Sequence, residues 1–162
     1  MNQKTMQEIF HQQTQRQSQK EIQNQTLQVI GFIIGHEEFA IPILNIQEIV
    51  KPLEYTRIPF VPRYVLGVFN LRGNILPLID LGQKFGLEQK SLDEDMRILV
   101  IKHQEQTIGF LIDKLTEAIH LKDDEIDYGI TQGDDPMIYG IGKYKDRLIT
   151  ILKAEELLKR DF

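Results

Sequence analysis

The feature that most constrains the fold of this chain is a series of short, apolar, β-branched runs separated by polar turns, beginning at Leu27. Leu27–Ile34 is one such run, Gly35–Glu38 has the composition of a hairpin turn, and Phe39–Ile43 resumes the run. Pro42 indicates a strand end or edge, because proline cannot donate to a β-ladder. Further strands are predicted at Ile46–Val50, Val65–Leu71, Asn74–Ile79, Ile98–Lys102, Thr107–Ile112 and Arg147–Leu152. Many short strands with regular turns predict a mainly β fold of small barrels or a sandwich.

The sequence also shows similarity between two parts of the chain. Ala40–Ile49 can be laid over Gly109–Ala118, which places Glu48 on the glutamate of the second stretch, and Gly67–Phe85 can be laid over Gly140–Leu158. Both members of the second pair end in a helix-like stretch; we predict short helices at Leu81–Phe85 and at Ala154–Arg160 near the C-terminus. The repetition predicts an internal duplication with two related small barrels, one in each half of the chain.

Residues 1–26 differ in composition from the rest of the chain. They are rich in glutamine and poor in apolar residues, so they cannot bury enough surface to offset the entropy of ordering. We therefore predict a flexible Gln-rich tail at 1–26 and a folded domain at 27–162. Met6, Ile9 and Phe10 have helical spacing, which leaves a docking role for one amphipathic turn open, but a featureless tail is the preferred interpretation.

Composition excludes several classes of site. The chain has no cysteine, so it has neither a disulfide framework nor a thiolate site, and its four histidines show no metal-ligand spacing. The N-terminus lacks the apolar core of a signal peptide, and no run approaches the length of a membrane span. We predict no cofactor and no metal.

Two acids raise the question of catalysis. Asp80 and Asp113 each end an apolar strand, and a pair of carboxylates can serve as general acid and base. An aspartate at a strand end more often caps a helix or accepts hydrogen bonds from a turn. A small-barrel acid–base enzyme is therefore the alternative interpretation, and a non-enzymatic protein the preferred one.

Basic residues cluster near aromatic residues between residues 51 and 64. Small barrels bind single-stranded nucleic acids through such combinations. The net charge of −5 argues against this function, since nucleic-acid-binding domains normally have a basic face. The residues concerned are Lys51, Arg57 and Arg63, with Tyr55, Phe60 and Tyr64.

The segment Tyr64–Leu81, YVLGVFNLRGNILPLIDL, resembles the hallmark segment of the CheW-like chemotaxis coupling family. In that family a glycine precedes an Asn-Leu-Arg-Gly turn, which is followed by an apolar strand, a proline and an Asp-Leu pair. Phe39–Ile49, Thr56–Pro59 and Ile108–Asp113 are similar to further family segments, in the same order and spacing. The resemblance covers residues 27–158.

This resemblance implies two five-stranded SH3-like β-barrels whose apposed faces share a core. It also implies a non-enzymatic adaptor or scaffold in bacterial chemotaxis, a two-component signal-transduction system. The implied partners are the cytoplasmic tip of methyl-accepting chemoreceptors and the regulatory domain of the histidine kinase CheA. The implied location is the cytoplasm, at receptor arrays, through protein contacts and without membrane insertion or nucleic acid.

By the same resemblance, Ile46, Glu48, Gly67, Arg72 and Ile98 match family positions that bind the receptor. Glu48 and Arg72 match an acid and an arginine that lie close together, while Ile46 and Ile98 match apolar positions in a groove between the lobes. Gly67 lacks a Cβ, which predicts either close approach of another backbone or a strained turn.

The loop Lys51–Tyr55 is our choice for a kinase-binding surface, with Lys51, Leu53 and Tyr55 as its residues. The chain departs from the family at Glu125–Ile130, which lacks the prolines and the basic residue common there. A lateral contact through this stretch is accordingly not predicted.

Overall fold

The computed structural model describes Met6, residues 26–129 and residues 135–162. The predicted Gln-rich tail, apart from Met6 and Thr26, and Ile130 lie outside the described residues. The β-strands are β1 Thr26–Ile34, β2 Glu37–Pro42, β3 Ile46–Val50, β4 Val65–Leu71, β5 Asn74–Asp80, β6 Arg97–His103, β7 Gln106–Ile112, β8 Lys114–Lys122, β9 Ile126–Asp127, β10 Ile138–Tyr144 and β11 Arg147–Leu152. The helices are short: α1 Leu81–Lys84, α2 Ala154–Leu157 and single 3₁₀ turns at Ile43–Asn45 and Asp123–Glu125.

The strands form two sheets. One has the order β8-β1-β2-β11-β10-β9 and carries both ends of the described domain, so we call it the terminal lobe. The other has the order β3-β6-β7-β5-β4, and we call it the central lobe. The mainly β, two-lobed prediction is confirmed; the terminal lobe has a sixth strand, β9, beyond the predicted five.

Strand pairing repeats between the lobes, as the internal resemblance predicts. In the terminal lobe β11 runs parallel to β2, with Ile151 opposite Ala40. In the central lobe β5 runs parallel to β7, with Leu78 opposite Gly109. Ala40 and Gly109 are the residues that the repeat aligns, so the two sheets share one register.

The prediction of one barrel per half is wrong. Each lobe combines strands from both halves of the chain: the hairpin β1–β2 lies in the terminal lobe with β8–β11, and the hairpin β6–β7 lies in the central lobe with β3–β5. The halves therefore exchange hairpins. Periodicity in a sequence specifies strands and their faces, but pairing between distant strands depends on contacts that it does not encode.

Three apolar clusters follow from the alternation of side chains along these strands. In β6, Leu99 and Ile101 point into a core shared by both lobes, whereas Ile98 and Val100 point into the central lobe. The shared core also takes up α2 through Leu157, and a third cluster fills the terminal lobe. The lobes are thus joined by a continuous buried core.

Candidate partner-binding surfaces

A bidentate ion pair stands on the surface of the central lobe. Arg72 donates from Nη2 to Glu48 Oε1 at 2.6 Å and from Nε to Oε2 at 3.2 Å. Glu48 is held on β3, and Arg72 lies in the β4–β5 turn, where both Arg72 and Gly73 have positive φ angles of 52° and 86°. Asn70 Oδ1 accepts from the Gly73 amide at 2.9 Å and supports this turn. The turn therefore directs the guanidinium toward β3, and the closeness of Glu48 and Arg72 that the resemblance implies is confirmed.

The two members of this pair are exposed to different degrees. The Arg72 side chain is 76% exposed and that of Glu48 23%, so one face of the guanidinium remains open to solvent. The hydrogen bond from Arg72 lowers the pKa of Glu48, and the reciprocal contact raises the pKa of Arg72. Both groups stay charged near neutral pH, and the pair orients donors that a partner can reach.

The pair borders a shallow concavity of about 610 Å³. Ile75, a residue that is 72% exposed, lines it, together with Pro77, Thr107 and Arg160. The concavity combines an apolar residue with charged and hydroxyl groups. Neither Ile75 nor Arg160 was predicted as a site residue, because each belongs to a local pattern that indicates only a strand or a helix end.

Gly67 is required by a close backbone approach. A Cβ at this position would lie 2.0 Å from the carbonyl oxygen of Thr56. Thr56 and Val68 exchange backbone hydrogen bonds of 2.8 and 2.9 Å, which attach the β3–β4 loop to β4. The predicted close approach is confirmed, and its structural effect is to fix the base of that loop.

The two predicted apolar site residues have different surroundings. Ile46 is half-buried at the start of β3 and packs against the shared core, in keeping with a position beside the inter-lobe boundary. Ile98 is fully buried inside the central lobe. Its predicted position in an inter-lobe groove is wrong, because the side chains of β6 that face the shared core are those of Leu99 and Ile101.

The predicted kinase-binding loop is exposed on the central lobe. Lys51 is exposed, and Leu53 is 40% exposed. Tyr55 is half-buried and packs against the apolar cluster of the central lobe, so it anchors the loop. These three residues occupy one surface segment between β3 and the Thr56–Val68 bridge.

Both acids of the enzymatic alternative have structural partners. Asp80 caps α1: its Oδ1 accepts from the Gly82 and Gln83 amides at 3.1 and 3.4 Å. Asp113 Oδ2 accepts from the Gly35 amide at 2.8 Å and from Lys90 Nζ at 2.7 Å. These contacts favour the structural interpretation of both carboxylates over acid–base catalysis.

Two further features, a metal site and a membrane-spanning helix, were sought among the described residues. These residues contain no group of three or more His, Cys, Asp or Glu residues that could hold a metal ion. Within 26–129 and 135–162, no helix has the length and apolar character needed to traverse a bilayer.

Comparisons with known proteins agree with the resemblance in the sequence. A family model described as CheW-like domain matches residues 28–162. The chain is 56% identical over 147 residues to the chemotaxis protein CheW of Helicobacter pylori, covering 90% of this chain and 89% of that protein. It is 30% identical over 136 residues to CheW of Bacillus subtilis, covering 82% and 87%. It is similar in structure to the scaffolding protein TtCheW from Thermoanaerobacter tengcongensis, with a TM-score of 0.72, 31% identity and coverage of 79% and 89%.

Proposed function

The chain belongs to the CheW-like family, and we propose that it is an adaptor of bacterial chemotaxis that joins chemoreceptors to the histidine kinase CheA. The observation that carries this proposal is the 56% identity to a chemotaxis protein CheW along nearly the whole of both chains. The similar solved structure is that of a scaffolding protein, which supports a binding role rather than catalysis. The protein is accordingly a scaffold and not an enzyme.

For the receptor-binding surface, we propose the side of the central lobe that carries Glu48 and Arg72. The open face of the Arg72 guanidinium supplies directed donors, and the adjoining Ile75 supplies apolar contact. Ile46, two residues before Glu48 on β3, adds a half-buried apolar side chain. A receptor tip is a helical hairpin, and helices bind grooves through an apolar stripe bordered by polar contacts. Gly67 contributes indirectly, by fixing the base of the β3–β4 loop, and Ile98 contributes only by packing inside the lobe.

For the kinase-binding surface, we propose the loop that carries Lys51, Leu53 and Tyr55. It offers an exposed cation and an exposed leucine on a segment whose end is fixed by the Thr56–Val68 bridge. The strand β3 carries Glu48 of the receptor-binding surface and leads directly into the loop of the kinase-binding surface. This arrangement suits a scaffold that holds two partners at once.

The location we propose is the cytoplasmic side of the membrane, within receptor arrays and held there by protein contacts. The support is the chemotactic role of the relatives, since chemoreceptor tips and CheA lie in that compartment. No nucleic acid and no cofactor enter this proposal.

The experiment is a binding measurement with purified receptor tip and kinase regulatory domain. The wild-type chain is expected to bind both. Arg72→Ala is expected to weaken binding of the receptor tip about tenfold while leaving kinase binding within about twofold, because a charge-assisted bidentate contact is lost on one surface only.

Lys90→Ala is the matched control, since Lys90 forms an ion pair of 2.7 Å with Asp113 at a different place on the surface. It should bind both partners like the wild type. The double exchange Glu48→Arg with Arg72→Glu tests the pair itself, because it restores attraction with reversed positions. If the wild-type protein binds neither the receptor tip nor the kinase regulatory domain, the proposed function is contradicted.

A further inference from the structure

An aromatic side chain on the β3–β4 loop is fully exposed in a backbone conformation that aromatic residues rarely adopt. Phe60 has a relative exposure of 104% and a φ angle of 61°. The left-handed region is unfavourable for a bulky residue, and exposing a phenyl ring to water is unfavourable as well. Among the described residues, no packing contact of the phenyl ring offsets these two costs.

The loop holds Phe60 in place from both sides. The Thr56–Val68 bridge fixes the preceding segment, and the Val65 amide donates to the Pro62 carbonyl at 3.0 Å on the following side. Pro59 and Pro62 restrict φ on either side of Phe60. The backbone on both sides of the ring is therefore held in place, which lowers the entropy cost of binding.

The surroundings of Phe60 combine apolar and basic groups. Ile58 is 38% exposed and lines a concavity beside the loop, together with Arg57 and Arg63. Both arginines are exposed, and neither takes part in an ion pair among the described residues. On a chain of net charge −5 this is a locally basic surface, although Glu88 lies across the concavity.

We infer that Phe60 is the anchor with which this loop docks into an apolar pocket with an acidic rim on the kinase regulatory domain. The inference rests on the proposed function and deepens it, since Leu53 belongs to the same loop. Exposed aromatic residues that fill a partner's pocket dominate the affinity of many interfaces. Arg57 and Arg63 steer the encounter with the acidic rim, which raises the association rate more than the affinity.

A single-stranded nucleic acid is the other class of partner that basic and aromatic groups can bind. The apolar character of Leu53, Ile58 and Phe60 favours a protein, because single-strand sites use a longer basic groove to follow the backbone. The acidity of the chain as a whole opposes binding of a polyanion.

The test compares Phe60→Asn with wild type in full-length protein, against the kinase regulatory domain, the receptor tip and a single-stranded oligonucleotide. Asparagine tolerates positive φ, so the substitution removes the ring and keeps the backbone. We expect about 30-fold weaker kinase binding, unchanged receptor binding and no fall in melting temperature. Leu92→Asn is the matched control, because Leu92 is also an exposed apolar residue on a loop, with 63% exposure. This variant should bind all partners like wild type.

A second variant tests the steering role. Arg57→Ser with Arg63→Ser should lower the association rate with the kinase domain about tenfold and flatten its salt dependence. Kinase binding of Phe60→Asn within about twofold of wild type overturns the inference while the proposed function stands. If the wild-type protein binds neither the kinase domain nor the receptor tip, both the inference and the proposed function are contradicted. Oligonucleotide binding that depends on the two arginines would overturn the inference and assign the surface to nucleic acid.

Discussion

The two lobes share one framework but use equivalent glutamates differently. In the central lobe, Glu48 meets Arg72 at 2.6 Å in an exposed pair. In the terminal lobe, Glu117 occupies the same place on β8, and Arg147 lies between it and Glu38 at 3.8 and 3.5 Å. The Arg147 guanidinium carbon also lies 5.5 Å from the centroid of the Tyr144 ring. One arginine is open to a partner, and the other is committed to the lobe itself.

The lobes also close their open edges differently at equivalent glycines. At Gly140 a Cβ would meet the Ile126 side chain at 2.7 Å and the Asp127 carbonyl at 3.2 Å, both from the short strand β9. At Gly67 it would meet the Thr56 carbonyl oxygen at 2.0 Å. The place of β9 is thus taken in the central lobe by a single bridge, so the rest of that segment is left as the β3–β4 loop.

The largest effect is expected at these glycines. Gly67→Ala forces two backbones apart and should lower the free energy of unfolding by about 3 kcal/mol. Gly140→Ala meets chiefly Cγ2 of the buried Ile126 side chain and should cost less, about 2 kcal/mol. Urea denaturation of both variants measures the difference. Equal losses would show that the bridge and β9 close their lobes in the same way.

A smaller effect is expected from the arginines. Arg147→Ala leaves Glu38, whose side chain is only 12% exposed, without its cation and removes packing on Tyr144, so it should cost about 1–2 kcal/mol of stability. Arg72→Ala should leave stability nearly unchanged. Receptor-tip binding should respond in the opposite order, weakening in Arg72→Ala and persisting in Arg147→Ala. A loss of binding in both variants contradicts the division of roles between the lobes.

Much of this architecture is predictable from the sequence, because period-two alternation and turn residues mark most strands. The duplication was visible in the alignment of Gly67 with Gly140, and its shared register is confirmed. Three strands were not predicted. The strand β8 is interrupted by charges, β9 has only two residues, and β10 contains two glycines, which weaken a strand pattern.

The exchange of hairpins was missed because no local pattern specifies which distant strands pair. The surroundings of the candidate-site residues were predicted only in part, because they too depend on how distant strands pack. The family resemblance located Glu48 and Arg72, which are in contact in the structure. Alternation showed that Ile98 is apolar for a structural reason but could not say which core it faces, and its groove position was wrong. The exposure of Phe60 depends on a backbone angle that its residue type disfavours, so sequence reasoning had no signal for it.

The smallest expected effect is a dependence on acid at the exposed pair. Arg72 lowers the pKa of Glu48 below its ordinary value of 4.5, so the folded state binds this proton less readily than the unfolded state does. The pair's contribution to stability should be fully present above that ordinary value and should disappear as pH falls through the lowered pKa. Carboxyl NMR titration should place the Glu48 midpoint below 4.5, and Arg72→Ala should return it toward 4.5. An unchanged midpoint in that variant would mean that the contact does not persist in solution, and the contrast between an open and a committed arginine would lose its basis in the central lobe.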